Sequence, residues 1–184
     1  NTLAAQADTG YTWTEADLIR AQKLAGAILM TAQGVAFLHG GQDFCRTKAF
    51  DGNSYASPIS VNGFDYARKA QYIEVFEYYK GLIALRKAFS AFRLRTDDEI
   101  RERVEILTNK NRMVVSFLIK APESDGYGEI LVIYNGNPSA AEVELPEGQW
   151  EVLVDDRNAG TETLYILEGG LATMPGTTAW VLVR

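Results

Sequence analysis

Apolar residues near the start of the chain recur at helical spacing. Leu18, Ala21, Ala25, Ile28 and Leu29 share one face, the pattern of an amphipathic helix. Thr14-Glu15-Ala16-Asp17 precedes them and resembles a capping box with Asp in place of Glu. The pattern predicts a helix over 14–32, ended by Gly34. Val35-Ala36-Phe37-Leu38 is then wholly apolar and predicts a short strand covered on both faces, as in a parallel sheet. Tyr72, Phe76, Tyr79 and Ile83 return to helical spacing and predict a second helix over 68–88, with Tyr78 and Tyr79 in the core.

The period changes after about residue 95. Thr96 to Arg103 predicts one short polar helix, and from Val104 onward the pattern is β. Strands are predicted over Met113–Ile119, Glu129–Tyr134, Ala141–Leu145, Trp150–Val154 and Ala179–Val183. Asn109-Lys110-Asn111-Arg112, Asn135-Gly136-Asn137-Pro138 and Pro146-Glu147-Gly148 supply turn chemistry between them. Short strands at such intervals predict an antiparallel β-sandwich.

The fold class is therefore α/β plus all-β, with a boundary between 1–95 and 96–184. Two helices and one strand cannot complete an α/β unit, because a lone buried strand leaves its backbone groups unpaired. The first half is expected to be the tail of a larger domain whose other strands lie outside this sequence.

Charge and composition narrow the function. A net charge of −6 argues against a nucleic-acid surface, which needs clustered Lys and Arg. The most apolar stretch, Leu24 to Leu38, is broken by Gln33-Gly34 and is too short for a bilayer, so no membrane partner is expected. Cys45 and His39 are the only residues of their kinds. No internal disulfide can form, the usual four-ligand zinc site cannot be assembled, and no metal or other cofactor is expected. The chain starts at Asn1 without a basic leader or apolar signal core and reads as the middle of something longer. It leaves open an extracytoplasmic or a cytoplasmic location.

Between the predicted strand and the second helix lie about 29 residues rich in Gly, Asp, Asn and Ser, a length that is usually functional or disordered inside a compact unit. The loop would leave the C-terminal end of a parallel strand, where barrel enzymes build their sites. His39 suits a hydrogen bond to a sugar hydroxyl, or a packed structural role at the strand end. Asp43, Arg46 and Lys48 suit a charged wall beside a substrate, or an Asp43–Arg46 ion pair that shapes the loop. Asn53 and Tyr55 pair an amide with a ring, which fits sugar recognition and equally fits turn chemistry. Trp150 and Trp180 fit a core better than a starch-binding platform.

The motifs in this loop resemble a known family. Gly34-Val35-Ala36-Phe37-Leu38-His39-Gly40-Gly41-Gln42-Asp43-Phe44, followed by Arg46-Thr47-Lys48, is similar to the last barrel strand and loop of type I pullulanases. Asp51-Gly52-Asn53-Ser54-Tyr55, Ser57-Pro58, Val61-Asn62 and Asp65-Tyr66 resemble the family's next motifs. Arg68-Lys69-Ala70 and Tyr78 to Lys87 resemble its final helix. Asp43, Gly52 and Ile59 depart from the family's Glu, His and Asp, and Ala4-Ala5-Gln6 replaces its W-D-K.

The resemblance implies the last units of a (β/α)8 barrel followed by an antiparallel C-terminal β-sandwich. It implies an alpha-amylase superfamily hydrolase acting on α-1,6 branches of an α-glucan by a retaining mechanism. Such a mechanism needs an Asp nucleophile and a Glu acid/base held close together. Asn1-Thr2-Leu3 resembles the stretch just after the last catalytic motif, so no catalytic residue is expected here and the isolated chain is expected to be inactive. Implied partners are the glucan and the N-terminal remainder of the barrel. His39, Gln42, Asp43, Arg46, Lys48, Asn53 and Tyr55 become the candidate substrate-binding residues. A carbohydrate-binding β module, a purely structural one, and isoamylase or neopullulanase activity are the alternatives.

Overall fold

The computed structural model describes residues 13–184, so the Asn1–Leu3 and Ala4–Gln6 motifs lie outside the described residues. Helix α1 spans Glu15–Thr31. Thr14 caps it by accepting from the Asp17 N–H, and the Asp17 carboxylate accepts from the Thr14 N–H at 2.9 Å, which satisfies donors the first turn leaves open. The helix ends at Thr31, three residues before Gly34, because Ala32 is already extended.

The exposed carbonyls at that end are taken by a side chain. Arg86, only 8% exposed, donates to the carbonyls of Met30 and Ala32 at 2.8 Å and of Gly34 at 2.7 Å. A guanidinium complements both the geometry and the negative end of the helix dipole. Gln33 extends the tie, donating to the Ala91 carbonyl at 2.7 Å and accepting from the Leu94 N–H at 3.1 Å.

The predicted strand over Val35–Leu38 is not formed. Val35 is 97% and Phe37 81% exposed, and no strand among the described residues pairs with this segment. Extended backbone becomes a strand only when a neighbour accepts its hydrogen bonds.

Short helices α2 (Ile59–Asn62) and α3 (Ala67–Gln71) precede the long helix α4 (Ile73–Ala88). The expected single helix over 68–88 is thus interrupted at Tyr72, whose φ of −114° and ψ of 40° are not helical. Helix α5 follows over Asp97–Arg103, with Thr96 and Glu99 forming a capping box.

Strands β1 (Val104–Leu107), β2 (Val114–Lys120), β3 (Glu129–Asn135), β4 (Ala141–Val154), β5 (Tyr165–Met174) and β6 (Thr178–Val183) form one antiparallel sheet. Their order is β1-β2-β3-β6-β4-β5. Two expected strands, over Ala141–Leu145 and Trp150–Val154, are one strand; the Pro146–Gly148 turn is a register shift inside it. A bulge accommodates the extra residues by bending the strand. β1 and β5 had no individually predicted counterparts. β5 is exposed along most of its length, so its alternation of apolar and polar residues is weak.

The central strands are apolar on both faces because both faces are covered. Ala179, Val181 and Val183 of β6 and Ile130 and Val132 of β3 pack with Ala27 and Met30 of α1 and Tyr78, Leu82 and Leu85 of α4. The alternate residues Trp180, Leu182, Leu131 and Ile133 pack with Val143, Leu145 and Trp150 on the opposite face. Trp150 and Trp180 are 0% and 4% exposed, as core residues. Among the described residues no helix is long and apolar enough to cross a membrane.

A candidate substrate-facing loop between the first and last long helices

The chain between α1 and α4 is held by a small number of polar hubs. Gly41 has a φ of 87°, and a Cβ there would come within 2.7 Å of the Arg46 side chain. Only glycine lets the chain double back so closely. The Arg46 N–H closes this turn on the Gly41 carbonyl at 2.9 Å. The guanidinium of Arg46 lies 4.0 Å from the Phe64 ring centroid and donates to the Asn62 carbonyl.

Asn62 is the second hub. Its amide donates to the carbonyls of Ser54 at 2.5 Å and Ser57 at 2.8 Å, and its side-chain oxygen accepts from Lys48 at 3.1 Å. Lys48 also donates to the Ser54 hydroxyl at 2.6 Å. Asp51 accepts from the Asn53 N–H at 3.0 Å and from the Ser57 hydroxyl. The Ser57 bond, then the Asn53 bond, holds its carboxyl below the usual carboxylate range. Its bonds to the Asn53 N–H and the Ser57 hydroxyl close the turn. Asp65 likewise accepts from the Ala67 N–H at 3.0 Å.

The predicted site residues are placed in different ways. Gln42 faces the protein interior: its side-chain amide donates to the Tyr79 hydroxyl at 3.0 Å, and its carbonyl accepts from Gln22 at 2.9 Å. Arg46 and Lys48 brace the loop through the bonds above. His39, Asn53 and Tyr55 are exposed, Tyr55 by 88%. Asp43 is half-buried and forms no ion pair with Arg46, whose guanidinium is directed to backbone carbonyls and the Phe64 ring. The ion pair considered from sequence is therefore absent. The His39 ring is at the surface rather than packed.

Sequence reasoning passed over Asn62 and the aromatic cluster beside it. Phe44 is buried and its ring lies 5.7 Å from that of Tyr66, which lies 6.0 Å from Phe64 at an interplanar angle of 17°. No periodicity marks Asn62. Only its resemblance to a family motif draws attention to it, and its role depends on four partners that fold around it.

A cleft of about 150 Å³ opens beside the loop, lined by Glu15, Gln22, Cys45, Arg46, Arg68 and Tyr72 among others. Arg68 donates to the Cys45 carbonyl at 2.9 Å and Tyr72 to Glu15 at 2.7 Å. Burial pushes the Cys45 thiol up, against the opposing pull of the Arg68 charge. Among the described residues no cluster of His, Cys, Asp and Glu is suited to hold a metal ion.

Residues 100–158 match the family model of the pullulanase all-beta domain. The chain is 42% identical over 125 residues to a pullulanase of Bacillus subtilis, which covers 68% of this chain. The pullulanase structure from Bacillus acidopullulyticus matches 99% of the chain with a TM-score of 0.90 and 34% identity. The chain belongs to the pullulanase family. It spans 17% of the length of the Bacillus subtilis relative and 22% of the Bacillus acidopullulyticus chain, and what it matches is the C-terminal part of a pullulanase. A pullulanase from Anoxybacillus sp. LM18-11, solved in complex with maltotetraose, covers 98% of this chain with a TM-score of 0.85 and 32% identity. An isoamylase of Pseudomonas amyloderamosa is 24% identical over 200 residues.

Proposed function

We propose that this chain is the C-terminal part of a debranching glycoside hydrolase cleaving α-1,6-glucosidic linkages in pullulan, glycogen or starch-derived glucans. Residues 1–95 are the closing units of its (β/α)8 barrel, and residues 96–184 its C-terminal β-sandwich. The carrying observation is the likeness to pullulanases along nearly the whole chain, loops included.

The barrel reading rests on one local feature. Val35–Leu38 is apolar, exposed at Val35 and Phe37 and without strand partners, as an inner barrel strand would be when its neighbours belong to the rest of the protein. The loop after it then lies at the barrel's C-terminal face, beside the glucan. There Asn53 and Tyr55 offer an amide for hydroxyls and a ring for stacking, His39 and Asp43 sit at the strand end, and Gln42, Arg46 and Lys48 hold the loop's shape. Hydrolysis with retention needs two carboxylates about 5 Å apart, and these lie on earlier strands.

The test is reducing-sugar release from pullulan by this chain and by the full-length protein, side by side. Activity in the full-length protein alone is the expected result. Hydrolysis by the chain by itself would move the chemistry to Asp43, Asp51 and Asp65 and overturn the assignment.

A further inference from the structure

Three non-glycine residues in the candidate loop have left-handed backbone: Cys45 with φ 54°, Ala49 with φ 49° and Phe50 with φ 64°. Such values are uncommon outside glycine and, for a bulky side chain, a true outlier. Ala49 and Phe50 are consecutive. Gly52, two residues on, has no positive φ and open space around it. The residue that would tolerate the strained geometry is thus not at the strained position, and a phenylalanine is.

Packing does not explain the arrangement within this chain, because Phe50 is 70% exposed. Its neighbours have sugar-binding chemistry. Asn53 and Tyr55 are exposed within five residues, and Asp51 ties the turn to Asn53 and Ser57. Strain persists where the surroundings enforce it, and it clusters at ligand clamps. An exposed aromatic ring on a polar, hydroxyl-rich turn fits the apolar face of a pyranose, with amide and carboxylate groups left for its edge.

We infer that Phe50 is a glucan-stacking residue, displayed by the left-handed Ala49–Phe50 turn and binding an α-linked glucose unit beside Asn53 and Tyr55. The inference rests on the proposed function for its ligand. It adds a residue that the loop's recognisable motifs do not include.

The experiment compares Phe50→Gly, Phe50→Ala and Phe50→Trp in the full-length protein, reading Tm by calorimetry and Kd for maltotetraose by titration. Glycine fits the left-handed turn and removes the ring, so Phe50→Gly keeps or raises Tm while weakening maltotetraose binding roughly three- to tenfold. Phe50→Trp retains binding. An unchanged Kd in Phe50→Gly overturns the inference. So does a Tm lowered alike in Phe50→Gly and Phe50→Ala, which would mean that the ring packs against the rest of the protein. Wild-type protein that binds maltotetraose without releasing sugar from pullulan would sink the proposed activity but leave the Phe50 comparison readable.

Discussion

Gly81 of α4 lies so close to the turn after β4 that a Cβ on it would sit 1.8 Å from the Ala159 carbonyl oxygen. One turn earlier, the Tyr78 hydroxyl donates to the Asp155 carbonyl at 3.0 Å. These two residues seat the last long helix on the sheet, where α4 shares one apolar cluster with β3, β4 and β6. Glycine in a helix normally costs about 1 kcal/mol relative to alanine; here the close approach to backbone outweighs that cost.

Gly81→Ala is therefore expected to destabilise the chain by about 3 kcal/mol, although alanine is the better helix former. Urea unfolding followed by circular dichroism measures it. A stabilised Gly81→Ala variant would show that α4 does not abut Ala159.

Arg86 holds three carbonyls at the end of α1 while almost wholly buried. Arg86→Met leaves those acceptors without their donor and should cost about 2–4 kcal/mol. Arg86→Lys should recover only part of this, because one ammonium cannot reproduce the planar fork that spans Met30 to Gly34. Equal stability of the Lys variant and the wild type in denaturant titrations would refute this role.

Asn62 organises the loop from Lys48 to Ser57 without belonging to the apolar core. For Asn62→Ala the expected outcome is faster limited proteolysis within residues 48–58, with the midpoint of global unfolding little changed. On the proposed activity, the same variant in the full-length protein should raise KM for pullulan several-fold. Unaltered cleavage rates would count against Asn62 as the hub.

Alkaline stability follows from the buried tyrosines. Burial pushes Tyr79 up to about 12, against the hydrogen bonds from Gln42 and Gln22, and pushes Tyr134 up to about 12 as well. The unfolded chain ionises these phenols near 10. Their contribution is complete below pH 10 and is lost as pH rises toward 12, since the unfolded state releases the proton first. Tyr79→Phe should be less stable than wild type at pH 8 by about 1 kcal/mol, having lost the Gln22 and Gln42 bonds. The gap should narrow as pH climbs from 10 to 12. Parallel unfolding curves across that range would disprove the linkage.

How far the sequence could be read depended on how local each signal was. The Thr14 capping box, the Asp97–Arg103 helix behind Thr96 and the core strands β2, β3 and β6 were legible, because capping and alternation act within a few residues. The break at Tyr72 was not, since helical periodicity continues across it. Nor was the merging of two strands into β4, because Pro146 and Gly148 have the chemistry of a turn as much as of a bulge.

The loop shows the same division. Its length and its Asp, Asn and aromatic content singled it out in the sequence as a candidate site. Its motifs, by resemblance, pointed to pullulanases. Tertiary structure decided which of its side chains are tied up within the loop and which stay exposed. Gln42 turns inward to Tyr79, Arg46 goes to the Asn62 carbonyl and the Phe64 ring instead of Asp43, and Lys48 braces Ser54 and Asn62, while Phe50, Asn53 and Tyr55 stay exposed. A residue's type and spacing set what bonds it can make. Which bond forms depends on partners far along the chain, 37 residues away for Gln42 and Tyr79, brought near only when α1 and α4 pack on the sheet.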